Sequence, residues 1–229
     1  MKRPKIIFFD VGGTLIYPEP SVGRVYHEVG NKHGVMTPSA EAVARAFQSA
    51  VGGLSEGQTH SKRNARKWWR GQVGRTFALL GHEESPALDR IFEELFHYFA
   101  RPEAWRLFDD VDGTLERLRA AGLRLGIISN WDYRLLRILA GFKILEQFDP
   151  VVISFDVGHE KPEKKIFLLA CKRAGVNPLD ALMVGDSPEE DFEGARAAGL
   201  DAVIVNRRLK SVQEHSLPGL DHLPRFLEL

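Results

Sequence analysis

Ile6-Ile7-Phe8-Phe9-Asp10-Val11-Gly12-Gly13-Thr14-Leu15 decides the reading of the fold, because four large apolar residues end abruptly at a carboxylate and a glycine pair. An apolar run without polar alternation suits a strand covered on both faces, as in a parallel sheet flanked by helices. Asp10 then stands at the carboxyl end of that strand, where open α/β sheets bind ligands, with Gly12 and Gly13 as permissive backbone beside it. In isolation, Asp-Val-Gly-Gly-Thr is equally what a tight turn capped by Asp10 requires.

Outward from this strand, Pro18 and Pro20 punctuate the exit and mark a hinge. Val22, Val25, Tyr26 and Val29 follow at helical spacing, closing near Gly34. Thr37-Pro38 reads as an N-cap with proline at N1, leading Val43 and Phe47. Trp69, Val73 and Phe77 make a third apolar face, and a fourth helix begins near Ser85-Pro86 and ends before Pro102. Four amphipathic helices without an intervening strand predict a helical cap inserted at residues 17–104. The remaining segments, 1–16 and 105–229, form the expected Rossmann-like catalytic core. There the pattern alternates: a helix from Asp112 to Ala121 precedes a strand at Leu125 to Ile128, and Val151 to Ile153, Ala181 to Val184 and Ala202 to Val205 read as further strands. Right-handed crossovers make such a sheet parallel.

Composition sets bounds on function. A chain of 229 residues can bury about 70–75% of its unfolded surface, so no metal or disulfide staple is needed for folding. Thirty-one basic and 31 acidic side chains cancel, which predicts neither a nucleic-acid nor an anionic-membrane partner. The single cysteine, Cys171, falls among apolar positions of a helical pattern and reads as a buried structural thiol. Asp10 interrupts the first apolar run too soon for a secretory leader or a membrane span, so a soluble cytoplasmic protein is the expectation.

Three further stretches complete the pattern. Val184-Gly185-Asp186-Ser187-Pro188-Glu189-Glu190-Asp191 puts acids after a strand, Ser129-Asn130 ends the strand Leu125 to Ile128, and Lys161-Pro162 opens a later helix. In this order, with Asp10, they resemble the haloacid dehalogenase-like hydrolase superfamily, and Trp68-Trp69 together with Ser129-Asn130-Trp131-Asp132 resemble a helical-cap branch of it. The resemblance implies strand order 5-4-1-2-3, with Asp10 and Asp186 on neighbouring strand ends. It also implies that Asp10 attacks phosphorus to form an aspartyl-phosphate, while Mg²⁺ is held by Asp10, Asp186 and the backbone carbonyl of Gly12. Hard oxygen ligands suit Mg²⁺, which keeps several of its waters. Asp191 is expected to act on the metal from the second shell or through water. Acids at 186–191 are also what a helix N-terminus favours.

Ser129 and the amide of Asn130 are placed to hydrogen-bond a transferring phosphoryl group, and Lys161 to neutralise charge near Asp10. Simple helix capping and a solvated lysine are the plainer readings. Thr14 is a substrate-binding candidate that can equally brace its loop. Lys62, Arg63, Arg66, Lys67 and Arg70 form either a guide for an anionic substrate or a solvated helix face.

The sequence departs from the family at Gly12. Phosphatases of the family carry an aspartate there that protonates the leaving oxygen, a role worth about 10²- to 10⁴-fold. Asp132 or a cap lysine, Lys32, Lys62 or Lys67, are the replacements considered. The expected function is Mg²⁺-dependent hydrolysis of a small anionic phosphate-type substrate. Two alternatives stand beside it: binding of a phosphorylated ligand without turnover, and metal-free dehalogenation.

Overall fold

The computed structural model describes residues 3–52 and 65–229. In chain order the elements begin with β1 (Ile6–Phe9), β2 (Ile16–Pro18), α1 (Val22–Lys32), α2 (Ala40–Gly52), α3 (Ala65–Ala78), α4 (Pro86–Tyr98) and β3 (Trp105–Leu107). They continue with α5 (Val111–Ala120), β4 (Arg124–Ser129), α6 (Arg134–Gly141), β5 (Val151–Ile153), α7 (Ser154–Val157) and α8 (Lys164–Ala174). The chain finishes with β6 (Ala181–Gly185), α9 (Gly194–Ala197), β7 (Asp201–Val205), β8 (Ser216–Leu217) and α10 (Leu223–Phe226). Two compact units result: Met1–Tyr17 with Leu107–Leu229, and Pro18–Arg106.

The first unit is an α/β sheet of order β5-β4-β1-β6-β7-β8, with every pair parallel. Its five main strands, read from β7 through β6, β1 and β4 to β5, run 5-4-1-2-3, and the sheet differs from that expectation by a sixth strand at the edge. β8 has only two residues, too few for any periodic signal. It is held because Ile204 N–H donates to His215 O at 2.8 Å and Asn206 N–H donates to Leu217 O at 2.8 Å. Strand β1 lies at the centre, and all four of its side chains are inaccessible to solvent. Ile6 and Phe8 join one apolar layer with Ile166, Phe167, Ala170 and Met183. Cys171 sits in the same layer, and burial pushes its thiol up to about 11, so it is an inert packing residue.

Glycine governs the closest strand contact. Gly126 is the register partner of Phe8, and a Cβ on it would lie 2.7 Å from the Phe8 ring and 3.0 Å from the Pro150 carbonyl oxygen. The absent side chain is what lets a phenyl ring lie flat on the neighbouring strand.

The second unit packs α1–α4 around Val25, Tyr26, Val29, Val43, Val73 and Phe77, joined by Leu88, Ile91 and Leu95 from α4. Trp69 packs against this core, with Trp68 edge-on to it at 4.7 Å between ring centroids. The start of α2 differs from expectation. Ser39, not Thr37, accepts the Ala42 N–H at 3.2 Å, because the Thr37 hydroxyl is bonded to His27. The basic face of α3 is largely neutralised: Arg66 pairs with Glu93, and Arg70 reaches both Glu84 and Asp89 at 2.7 Å. Lys62 and Arg63 lie outside the described residues.

Gly126→Ala is expected to lower folding stability by about 1–3 kcal/mol through overpacking against Phe8. Denaturant titration checks this as a lower midpoint at unchanged slope. Adding Phe8→Leu should recover part of the loss, since contacting residues couple.

Candidate active site

Pairing of β4 and β6 with either edge of β1 fixes where the chemistry-bearing side chains meet. Ser129 is the last residue of β4, while Asp10 and Asp186 each follow their strand by one residue. Asp10 N–H donates to Val184 O at 2.9 Å, which extends the β1–β6 ladder to the carboxylate itself. Adjacent strand ends thus deliver a hydroxyl and two carboxylates to one place. Lys161 enters from the loop ahead of α8, and Asp191 from a π-helical turn over Pro188–Glu193. That turn is capped by the Ser187 hydroxyl, which accepts the Glu190 N–H at 3.2 Å.

Asp10 Oδ1 accepts two bonds, from Ser129 Oγ at 3.0 Å and from Lys161 Nζ at 2.7 Å. The same ammonium donates to Asp191 Oδ1, whose other oxygen accepts the Ser187 N–H at 3.0 Å. Thr14 Oγ1 donates to Asp186 Oδ1 at 3.4 Å. Burial opposes charge on Lys161, but Asp10 and Asp191 more than offset it and hold the ammonium above the ordinary lysine range. Burial raises the carboxyl of Asp10, reinforced by Asp191 and resisted by Lys161. Asp186 keeps an exposed flank, yet desolvation, then the charges of Asp10 and Asp191, push it up to about 6. Glu190 is pushed up to about 7, chiefly by burial.

Four carboxyl groups therefore surround one ammonium. Oxygens of Asp10, Asp186 and Asp191 all lie within 4.8 Å of one another, a hard, all-oxygen donor set that fits a divalent cation such as Mg²⁺.

Glycines make the clustering possible. A Cβ at Gly185 would fall 2.2 Å from Asp191 Cγ, and one at Gly13, whose φ is +81°, would fall 2.3 Å from Asp186 Oδ2. Gly12 is different, since its φ lies outside the left-handed region and, among the described residues beyond its chain neighbours, a Cβ there would meet only Trp131, whose Cζ3 lies 3.2 Å away. The half-buried indole of Trp131 borders the place where a side chain at position 12 would begin. Asp132 is a poor substitute proton donor: it is sealed from solvent and ion-paired with Arg134 at 2.8 Å. Lys32 is engaged by Glu94 at 2.8 Å.

Asn130 does something its place in sequence did not announce. Its side chain turns to the Lys161 backbone, accepting the N–H at 2.8 Å and donating to the carbonyl at 2.9 Å. Glu190, read from sequence only as a helix-start acid, accepts from the same amide nitrogen at 3.1 Å. Arg207 was not anticipated either. It donates to the Thr14 carbonyl at 3.0 Å, pairs with Asp110 at 2.8 Å and lies 3.5 Å from the Phe108 ring centroid, bracing the loop after Asp10. No local pattern marks an arginine beyond the last long strand for that task.

Comparison with known proteins points to one family. A family model described as haloacid dehalogenase-like hydrolase matches residues 4–199. The mouse haloacid dehalogenase-like hydrolase domain-containing protein 3 is 35% identical, over 98% of this chain and 94% of that protein. A phosphoserine phosphatase of Thermus thermophilus is 30% identical, over 94% of both chains. Among solved structures, a HAD phosphatase from Thermococcus onnurineus superposes with a TM-score of 0.66 at 30% identity, covering 97% of both chains. Among the described residues no helix is long and apolar enough to cross a membrane. With its parallel sheet, its carboxylates at adjacent strand ends and relatives that span nearly its full length, the chain belongs to the haloacid dehalogenase-like hydrolases.

Proposed function

We propose that this protein is a Mg²⁺-dependent phosphatase acting on a small anionic substrate through covalent catalysis by Asp10. The observation that carries the reading is the carboxylate cluster of Asp10, Asp186 and Asp191 gathered about the buried ammonium of Lys161. Two of the similar proteins are phosphatases by name, which supports phosphorus over carbon as the centre attacked. Asp10, Asp186 and the Gly12 carbonyl would hold the ion, with Asp191, which binds the Lys161 ammonium and the Ser187 N–H, at one remove. When bound, Mg²⁺ supplies Lewis-acid neutralisation of charge on the phosphoryl oxygens.

The residues divide the remaining work. Ser129 and Lys161 both donate to Oδ1 of Asp10, which fixes the carboxylate and leaves Oδ2 to attack. As the Oδ2–P bond forms, the P–O bond to the leaving group breaks and its electron pair departs with that oxygen. Lys161, Ser129 and the Asn130 amide offset the charge on the transferring group, and Thr14 braces Asp186. Water then attacks phosphorus, the Oδ2–P bond breaks, Asp10 regains its charge and the proton passes to solvent. Gly12 offers no acid for the first departure.

The direct test is turnover of a phosphate-ester panel with Mg²⁺ and with chelator. Activity is expected only with metal and should be abolished by Asp10→Asn, which keeps the shape but not the nucleophile. Turnover that survives chelation would instead favour the dehalogenase chemistry, and phosphate binding without turnover the ligand-binding alternative.

Leaving-group dependence tests Gly12. Acyl and aryl phosphates should be hydrolysed well and sugar phosphates poorly, with rates falling steeply as the leaving-group pKa rises. Gly12→Asp should flatten that slope. The backbone accepts it, and Trp131→Phe should improve the effect by removing the ring edge near the new Cβ.

Acidity tests the metal set. Protonation of Asp186 near pH 6 competes with the cation, so affinity is full above that value and is lost as pH falls through it. Calorimetry should record roughly four-fold weaker Mg²⁺ binding at about pH 5.5 than at about pH 7.5, with proton release at the lower pH.

A further inference from the structure

Lys161 carries the charge on which the site turns, yet it sits on a loop, and a lysine side chain has many rotamers to lose. Its ammonium is fixed by Asp10 and Asp191. Its backbone is fixed by something else. Asn130 Oδ1 accepts the Lys161 N–H at 2.8 Å, and Asn130 Nδ2 donates to the Lys161 carbonyl at 2.9 Å, so one carboxamide grips both polar groups of one residue. That grip works in a single orientation of the amide. With Oδ1 and Nδ2 exchanged, a donor would face the Lys161 N–H and an acceptor would face its carbonyl. Glu190 Oε2, 3.1 Å from Nδ2, is a second acceptor on the same side and reinforces the working orientation. The loop is also closed from behind: Pro162 lies so near Gly194 that a Cβ there would stand 2.8 Å from Pro162 Cα.

We propose that Asn130 and Glu190 are positioning residues that act through Lys161, the Asn130 carboxamide clamping the lysine backbone and the Glu190 carboxylate orienting that carboxamide. The neighbouring Ser129 hydroxyl bonds Asp10, so the end of β4 sets nucleophile and lysine from one rigid strand. On this account the side chain of Asn130 makes no contact with substrate, and only its backbone is left for that purpose.

Two measurements test the clamp, and only the kinetic one rests on the phosphatase reading. The first is hydrogen exchange of the Lys161 amide by NMR in the full-length protein. Asn130→Ala and Glu190→Ala should each speed exchange about tenfold or more, whereas Glu190→Gln, which keeps an acceptor, should stay near the native rate. The second is a double-mutant cycle on kcat with acetyl phosphate and Mg²⁺. Asn130→Ala should cost roughly 10- to 100-fold in the native background and nothing further once Lys161 is alanine. Exchange of the Lys161 amide left unchanged by Glu190→Ala would overturn the proposal. So would losses from Asn130→Ala and Lys161→Ala that multiply, because they would mean that Asn130 acts on substrate independently. If native protein hydrolyses neither acetyl phosphate nor any phosphate ester, the phosphatase reading falls and exchange alone decides the clamp.

Discussion

A single buried ammonium organises the site. Lys161 is 2% exposed, and an ammonium withdrawn from water to that degree persists only when paired and hydrogen-bonded. Asp10 and Asp191 meet that requirement, and their positions dictate much of the surrounding backbone. Asp191 fits only because Gly185 has no side chain, and Pro162 approaches only because Gly194 has none. Removing the lysine would leave Asp10 and Asp191 buried without their countercharge, a far larger cost than the pair's net contribution.

The lysine neutralises only part of what is gathered around it. Asp10, Asp186, Glu190 and Asp191 bring four acids to one base, and the raised carboxyls of Asp10, Asp186 and Glu190 register burial together with that imbalance. A divalent cation would offset that imbalance, and on the proposed reading the two ends of the reaction are then unequally served. On the proposed reading, attack by Asp10 is well provided for by a hydroxyl, an ammonium and a cluster that fits a metal. Departure of the leaving group is not, because an indole edge borders the place where an acid at position 12 would stand.

How much of this was legible depended on whether a feature was local. The unbroken run Ile6–Phe9 and the glycines beside Asp10 and Asp186 announced a buried parallel strand and acids at strand ends, and those strands are neighbours. Ser129 and Lys161 could be singled out because they flank regular elements, and the structure places both against Asp10. The short strands β2, β3 and β8 were missed, whereas β5, also three residues, was read because Val151-Val152-Ile153 is unbroken β-branched sequence. Ser39 displaced Thr37 as the α2 cap because tertiary packing gave the Thr37 hydroxyl to His27. Glu190 was indistinguishable from its acidic neighbours until the π-helical turn directed it to Asn130. Arg207 reaches Thr14 across 193 residues, a contact no sequence window contains.

The central claim is that the Asp10 carboxylate accepts the phosphoryl group. Acid quench during steady turnover of acetyl phosphate with Mg²⁺, followed by peptide mass spectrometry, addresses it most directly. The account requires a phosphoryl adduct on the peptide carrying Asp10 that forms within one turnover and is absent from Asp10→Asn. Product released with no adduct at Asp10, or with the adduct on another residue, would contradict it.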